Sequence, residues 1–556
     1  MEQLEAYFDH FLGIPDGIKK LRELILTLAM QGKLVEQDPN DQPASELLKE
    51  IEAEKKLLMA EGKIKKPKPL PEIKPEEVPY ELPAGWEWVR LGNVGTTNIG
   101  LTYKPTQVSN HGTPVLRSNN IQNGQIVFRN LVRVNAEIRQ NTYAHPGDIL
   151  ICARNGSRRL VGKAAIIPIS EEVMAFGAFM AIYRSRINPF VLRFIHSPIF
   201  RRVIDEVNTT TINQITQANL NKALFPLPPL NEQHRIVQKI DSLMALCDQL
   251  EARRKERDAK RLSMHSSAVH HLQHSSDENE FAASWSFITD RFDSLYSVKE
   301  NVEELKKAIL SLAMQGKLVE QDPNDQPASE LLKEIEAEKK RLVAAGKIKK
   351  PKPLPEIKPE EVPYELPKGW EWVRLGEYGY WKSGSTPSRG NSKFYNGNIP
   401  WVKSGEVKQG RISTAEETIS DLALTKCSLD LNPVGSVLIA MYGANIGDVG
   451  ILEIEATTNQ AVCACQTYAE VDNAFLLRLL SSLKASFIVQ GAGAAQPNIS
   501  KVKIRNTIVP LPPLNEQHRI VQKIDALMAL CDSLLTRIDG KNEKSEQLVN
   551  AVLARV

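Results

Sequence analysis

Two separate stretches of this chain gather side chains that can read or grip a nucleic-acid duplex. In the first, Arg117, Asn119 and Asn120 lie in Arg117-Ser-Asn-Asn-Ile-Gln122; Arg154, Asn155, Ser157 and Arg158 lie in Arg154-Asn-Gly-Ser-Arg-Arg159, with Lys163 behind. Arginine can take the O6 and N7 edge of guanine through two parallel bonds, and Asn or Gln can do the same to adenine. Lysine and arginine also hold phosphates, which positions a protein without reading sequence. The second stretch holds Lys382, Ser385, Thr386 and Arg389 in one run, Lys403 after Trp401, Tyr442 and Asn445 in Tyr442-Gly-Ala-Asn445, and Gln496 and Asn498 in Gln496-Pro-Asn498-Ile-Ser500. Singly, each side chain fits a solvated surface or a turn. Clustered in paired domains, they favour nucleic acid.

Catalytic signatures are missing. Asn188-Pro-Phe lacks the second proline of the Asn-Pro-Pro-Phe amino-methyltransferase signature. Gly156 to Ala164 superficially evokes a phosphate-binding loop, but its glycines are one residue too far apart, and Ala164 stands where the metal-binding hydroxyl belongs. No paired carboxylates and no His/Cys cluster carry metal-site spacing, so neither a catalytic nor a metal residue is assigned. His265, His270, His271 and His274 fit a solvated helix or linker better than a metal site.

The elements that must position these clusters come in duplicate. Pro226 to Asp241 recurs unchanged at Pro510 to Asp525, and Ala29 to Gly92 recurs at Ala313 to Gly376 with four differences, both at an offset of 284. Prolines 228 and 229 suit a helix start, and Glu232 suits its positive end. From there Ile236, Ile240, Leu243 and Leu250, and again Ile520, Ile524, Leu527 and Leu534, alternate four and three residues apart, with Cys247 and Cys531 between them. That is a coiled-coil seam, with an ordinary amphipathic helix packed on its own core as the alternative. Residues 1–35 predict a helix with Phe8, Ile14, Ile18, Leu21, Ile25 and Leu28 on its apolar side, interrupted by Pro15 and stopped at Gly32. Residues 45–60 predict a second helix; the Lys-, Pro- and Glu-rich 62–83 predict an extended, solvated strap. Residues 93–222 and 377–506 show short β-branched runs among Gly, Asn and Pro, with a late helical patch in each. Residues 275–280 look like a flexible join.

Composition agrees with a multidomain chain of 556 residues, 25% charged and 42% apolar. A net charge of +3 makes any basic surface local. The six cysteines form no CxxC pair and read as buried thiols in a reducing cytoplasm. No apolar run reaches membrane length and no N-terminal signal pattern is present, so a cytoplasmic location without membrane contact is expected.

The chain resembles the specificity subunit of Type I restriction-modification enzymes. The duplicated Pro-Leu-Pro-Pro-Leu-Asn-Glu-Gln helix carries the resemblance, as do Leu-Pro-x-Gly-Trp-x-Trp at Leu82 and Leu366 and the Gln-Gly-Lys-Leu helix end. Leu116 to Gly124, Phe176-Gly-Ala-Phe179, Gly384-Ser-Thr-Pro387, Ile399-Pro-Trp401 and Gln496 to Ser500 are similar to known target-recognition domains. One departure is Asn213-Gln-Ile-Thr216 where the second half has Pro497-Asn-Ile-Ser500, so a residue role there does not transfer between halves.

The resemblance implies an α+β fold: two β-rich target-recognition domains held apart by an antiparallel pair of long coiled-coil helices, duplicated about a pseudo-two-fold. The expected segments are 1–85 (helical region and strap), 86–225 (recognition domain 1), 226–369 (central helical region and strap), 370–509 (recognition domain 2) and 510–556 (last helix). Each recognition domain is expected to read one half of a bipartite, asymmetric site on double-stranded DNA. The partners implied are modification (methyltransferase) subunits, usually two, docked on the seam helices, and ATP-driven restriction subunits. S-adenosylmethionine, ATP and magnesium belong on those partners, and no cofactor on this subunit. Two other readings stay open: a self-contained sequence-specific nuclease or methyltransferase with an unrecognised active site, and an assembly scaffold without DNA contact.

Overall fold

The computed structural model describes residues 10–64, 66–206, 213–275, 277–468, 471–492 and 497–555. The chain forms two compact units: residues 1–257 with 541–556, and residues 258–540. The class is α+β, with a long helix between two sheet-rich domains in chain order. That helix runs Leu230–His274, 45 residues, about 67 Å at 1.5 Å per residue. A second, Leu514–Arg555, ends the chain.

In the first unit the expected break at Pro15 is present: the helix Gly17–Met30 starts just after it, and Phe8 lies outside the described residues. The helix stops at Gly32, whose φ of +69° is left-handed. There the Lys33 amide reaches back to Leu28 O (2.9 Å) and the Gly32 amide to Ala29 O (3.3 Å), the double closure that satisfies two terminal carbonyls. A side chain at Gly32 would also strike Pro83 at 2.4 Å. The second helix, Ala44–Ala60, begins one residue earlier than expected.

The strap is extended, as composition implies, but it is pinned. The buried Arg90 guanidinium donates to Pro71 O (3.3 Å), to Glu72 O (3.1 Å) and to the Glu77 carboxylate (2.8 and 2.9 Å). The Tyr80 hydroxyl donates to Met30 O at 2.9 Å. Arg374, Glu361 and Tyr364 repeat these bonds in the second unit.

Each variable insert leaves and re-enters the repeated frame through one two-stranded ladder. Glu87–Arg90 pairs antiparallel with Leu224–Leu227, and Glu371–Arg374 pairs with Ile508–Leu511. Beside it, Trp86 Nε1 donates to the Glu232 carboxylate at 3.0 Å and Gln37 Nε2 donates to the same group at 3.1 Å. Trp370, Gln321 and Glu516 do the same at 2.9 and 3.1 Å. Glu232 therefore does more than sit near a helix start. It locks the start of the long helix onto the tryptophan motif, and burial pushes its carboxyl pKa up.

The divergent inserts share a topology. In the first, a four-stranded sheet runs Ala164–Ile166, Ile149–Cys152, Met180–Arg184, Thr96–Ile99; in the second, Val449–Leu452, Val437–Ala440, Val462–Thr467 and Gly379–Ser383 take the same order, with a fifth strand, Gly410–Ile412, added parallel beside Val449–Leu452. Each insert has a second sheet with one parallel pair: Thr113–Leu116 with Met174–Phe176, and Tyr395–Val402 with Thr457–Thr458. The late helices are Asn188–Ile195 and Pro198–Glu206, then Asn473–Ser482 and Lys484–Gly491.

The seam residues turn out to be core. Ile236 and Ile240 are fully buried, with Leu243 and Leu250 packed against the same cluster as Leu21, Ile25 and Val549. Helix Gly17–Met30 covers them and runs antiparallel: Arg22 bonds Asp248 (2.6 Å) and Glu251 (3.0 Å), while Ile14 O accepts from Arg254 further along. In the second unit Ile520 and Ile524 are fully buried, Leu527 and Leu534 pack beside them, and Lys306 pairs with Asp532 at 2.7 Å. Of the expected roles of these eight residues, helix packing is what they do here; Leu243, Leu250, Leu527 and Leu534 remain half-buried at the edge of the two cores. The join at 275–280 is also shorter than expected, since a helix restarts at Glu278.

Among the repeated positions at which the two cores differ, one replaces an apolar side chain with a titratable one. Val549 is buried in the first unit; its counterpart in the second is His265, fully buried, 5.3 Å from the Tyr296 ring. Among the described residues neither imidazole nitrogen has a hydrogen-bond partner. Burial pushes the His265 pKa below its ordinary 6.5, against a smaller opposing pull from Glu304. The unfolded chain thus binds the proton first, so stability present above about 6.5 is lost as pH falls through that value. We expect the melting temperature of the second unit to drop on acidification, and His265→Leu to remove that part of the drop. Parallel melts of the two chains from pH 8 to pH 5 check this; identical profiles would refute it.

Among the described residues no single helix is long and apolar enough to cross a membrane. The helices Asn473–Ser482 and Lys484–Gly491 reach such a length only across a 54° bend, and their apolar residues Phe475, Leu476, Leu479, Leu480 and Phe487 are buried in the core.

Candidate nucleic-acid interface

In each variable domain three loops meet. The first follows the parallel strand: after Thr113–Leu116 a tight turn spans Ser118–Asn120, and after Tyr395–Val402 another spans Ser404–Gln409. Both turns close by a side chain. Asn120 Oδ1 accepts the Arg117 amide at 3.0 Å, and Glu406 Oε2 accepts the Lys403 amide at 2.8 Å.

The second loop follows the central strand, at Arg154–Gly156 and Tyr442–Asn445. Asn155 Nδ2 lies 3.5 Å from Ser118 Oγ, and Lys163 Nζ 3.5 Å from Ser118 O, which joins the first two loops. In the other domain Gly405 approaches the Asn445 amide. The third loop is the outgoing segment. Gln214 bridges Arg154, and Asn498 bridges Tyr442. The Ile215 amide donates to Ala153 O (2.8 Å) and the Ile499 amide to Met441 O (2.9 Å). The outgoing segments, unlike in sequence, hold the same backbone place, so the frame transfers between halves and only the side chains do not.

Within this frame the candidates separate. Arg154 is exposed and lies 5.1 Å from the centre of the Phe179 ring, itself 58% exposed. Arg117, which opens the first turn, is half-buried. Asn119 and Ser157 are exposed, and Asn155 shapes its own turn by accepting the Ser157 amide at 3.0 Å. Asn120 is 1% exposed and spends its amide on Val127 O (3.1 Å) and Arg129 O (3.0 Å). It builds the turn and has no edge left for a base, which corrects its place among the contacts. Arg158 is already paired with Asp205 (Nε–Oδ1 3.3 Å, NH2–O 2.6 Å).

In the second domain Tyr442 is exposed where the first has Arg154. Ser385 is held by its backbone, its carbonyl accepting from Trp401 Nε1 at 3.1 Å, and Thr386 beside it is exposed. Lys382 pairs with Asp430 at 3.3 Å, and Arg389 and Lys403 both pair with Glu417. Gln496 lies outside the described residues. Sequence reasoning missed Phe179, Gln214 and Glu417. Phe179 stood inside a motif, but nothing local marks an aromatic as outward-facing.

Residues 83–257 and 367–541 each match the family model of the Type I restriction modification DNA specificity domain. The chain belongs to that family. It is 37% identical to the Type I restriction enzyme EcoAI specificity subunit of Escherichia coli, over 96% of this chain and 93% of that one. It is 33% identical to the EcoEI specificity subunit of Escherichia coli over the same shares. Against the EcoKI specificity subunit of Escherichia coli (strain K12) the figures are 23%, 85% and 89%. Each specificity domain match begins at the tryptophan motif and ends in a long helix, so it contains one two-stranded ladder and one set of three loops.

Proposed function

We propose that this chain is the DNA-reading subunit of a Type I restriction-modification complex, each variable domain reading one half of a bipartite, asymmetric site. The observation that carries the reading is the pair of three-loop platforms: one backbone frame presented twice, with Arg117, Arg154 and Phe179 on one copy and Lys403, Tyr442 and Asn498 on the other. Two frames of one shape with different side chains read two different half-sites. Catalysis lies outside this chain. Two modification subunits using S-adenosylmethionine and restriction subunits using ATP and magnesium supply it, and the complex works in the cytoplasm. Those partners dock on the repeated long helices, through the faces that the chain's own core leaves exposed.

The experiment is to assemble the chain with its modification subunits and map the adenines methylated in host DNA. A split site with two unlike halves supports the reading. Cleavage or methyl transfer by the chain alone would favour a self-contained enzyme instead. Single substitutions refine the test. Arg154→Ala is expected to cost about 1–3 kcal/mol of specific binding and to relax one half-site only. Arg159→Ala, on an exposed side chain, should weaken all sequences alike and reduce the salt slope by about one. Equal behaviour of the two variants, measured by titration over a salt series, would contradict this division.

A further inference from the structure

Glu417 stands next to the platform of the second variable domain. It directly precedes the strand Thr418–Ile419, and its carbonyl accepts the Trp401 amide at 2.9 Å. Its carboxylate takes two bonds from Arg389 (2.6 and 3.2 Å) and one from Lys403 (3.1 Å). Lys403 also bonds Glu416 at 2.8 Å. The Arg389 guanidinium lies 4.6 Å from the Tyr395 ring centre and 5.3 Å from that of Trp401. These bonds draw the Glu417 carboxyl down to about 2, Arg389 contributing most, so it is charged throughout the neutral range.

The first domain is built differently. Arg117 holds the place of Lys403, and neither it nor Arg154 nor Arg159 has an ion-pair partner among the described residues. A cation without a partner is available to any phosphate and releases counterions when it takes one. A cation held by a carboxylate must first break that pair. The O6 and N7 edge of guanine presents the same two-acceptor fork to an arginine that a carboxylate does.

We propose that Glu417 is a specificity-determining residue of the second domain: it competes with phosphates for Arg389 and Lys403, so both cations are released only to a duplex offering a base edge that can replace the carboxylate. The first domain then supplies more of the sequence-independent grip, and the second more of the discrimination. This rests on the DNA-reading role proposed above.

The test uses the chain assembled with its modification subunits and the isosteric Glu417→Gln. Binding to non-specific duplex should tighten severalfold, and the dependence of log affinity on log salt should steepen by about one to two phosphate equivalents. Methylation should spread to sites that differ in the half read by the second domain and in no other half. The double variant Glu417→Gln/Arg389→Gln should bring the slope back towards that of the parent. An unchanged slope with an unchanged site set overturns the proposal, and so does weaker binding to every duplex. If the Glu417→Gln chain does not assemble, Glu416→Gln on an exposed side chain replaces it: a smaller steepening supports the proposal and no change overturns it. Failure of the DNA-reading role itself is distinguishable, because the parent complex would then methylate no bipartite site.

Discussion

Exchanging residues 93–222 for the corresponding insert of a relative is expected to change one half of the methylated site and to leave the other half and the spacer as they were. The geometry behind this is the ladder between Glu87–Arg90 and Leu224–Leu227, with registers Glu87 to Leu227 and Arg90 to Leu224. The incoming strand and the Pro226-Leu227 half of the outgoing one are repeated sequence, and the Leu91 amide closes on Ala223 O at 2.9 Å. Glu232 and Trp86 fix the ladder to the long helix from below. A foreign insert with the same two ends meets the same frame, while its own loops supply the side chains that face DNA. Mapping methylated sites for the parent and exchanged complexes checks this. A change in both halves, or a changed spacer, would falsify the separable-reader model.

The second large effect is expected at the seam. Ile240→Asp places a carboxylate at a fully buried position between the long helix and the cluster of Leu21, Ile25 and Phe190. A charge there is unpaired and desolvated, at a cost of about 3–5 kcal/mol, or it takes up a proton and still costs the lost packing. That is a large fraction of the stability of a domain of this size. The first unit should lose its cooperative melt and become protease-sensitive, and Ile524→Asp should do the same to the second. Thermal melts with limited proteolysis of each variant read this directly. A variant that melts like the parent and reads an altered site would place Ile240 at an interface with DNA or a partner, contrary to its burial.

Much of this protein could be read before any coordinates. The duplication, the helix from Leu230, the stop at Gly32, the break at Pro15 and the β-rich inserts follow from local chemistry: periodicity, a backbone conformation that suits glycine, a missing amide. The offset of 284 between identical blocks determined that the architecture would be doubled. The resemblance to the specificity-domain family rests on motifs in the repeated frame and on short runs inside the inserts, such as Phe176-Gly-Ala-Phe179 and Ile399-Pro-Trp401.

Tertiary structure decided which of the legible residues meet. The alternation of Ile236, Ile240, Leu243 and Leu250 specifies an apolar face; it cannot say whether that face meets a partner subunit or the helix Gly17–Met30 of its own unit. Asn120 and Arg117 are neighbours in sequence with similar polarity, yet one is folded inward to close a turn and the other opens that turn, half-buried. Glu417 and Arg389 stand 28 residues apart, and their pairing depends on how the strands Tyr395–Val402 and Thr418–Ile419 bring distant loops together. Burial and long-range pairing are properties of the packed chain. A pattern of residue types fixes what each side chain can do, and only packing fixes what it faces.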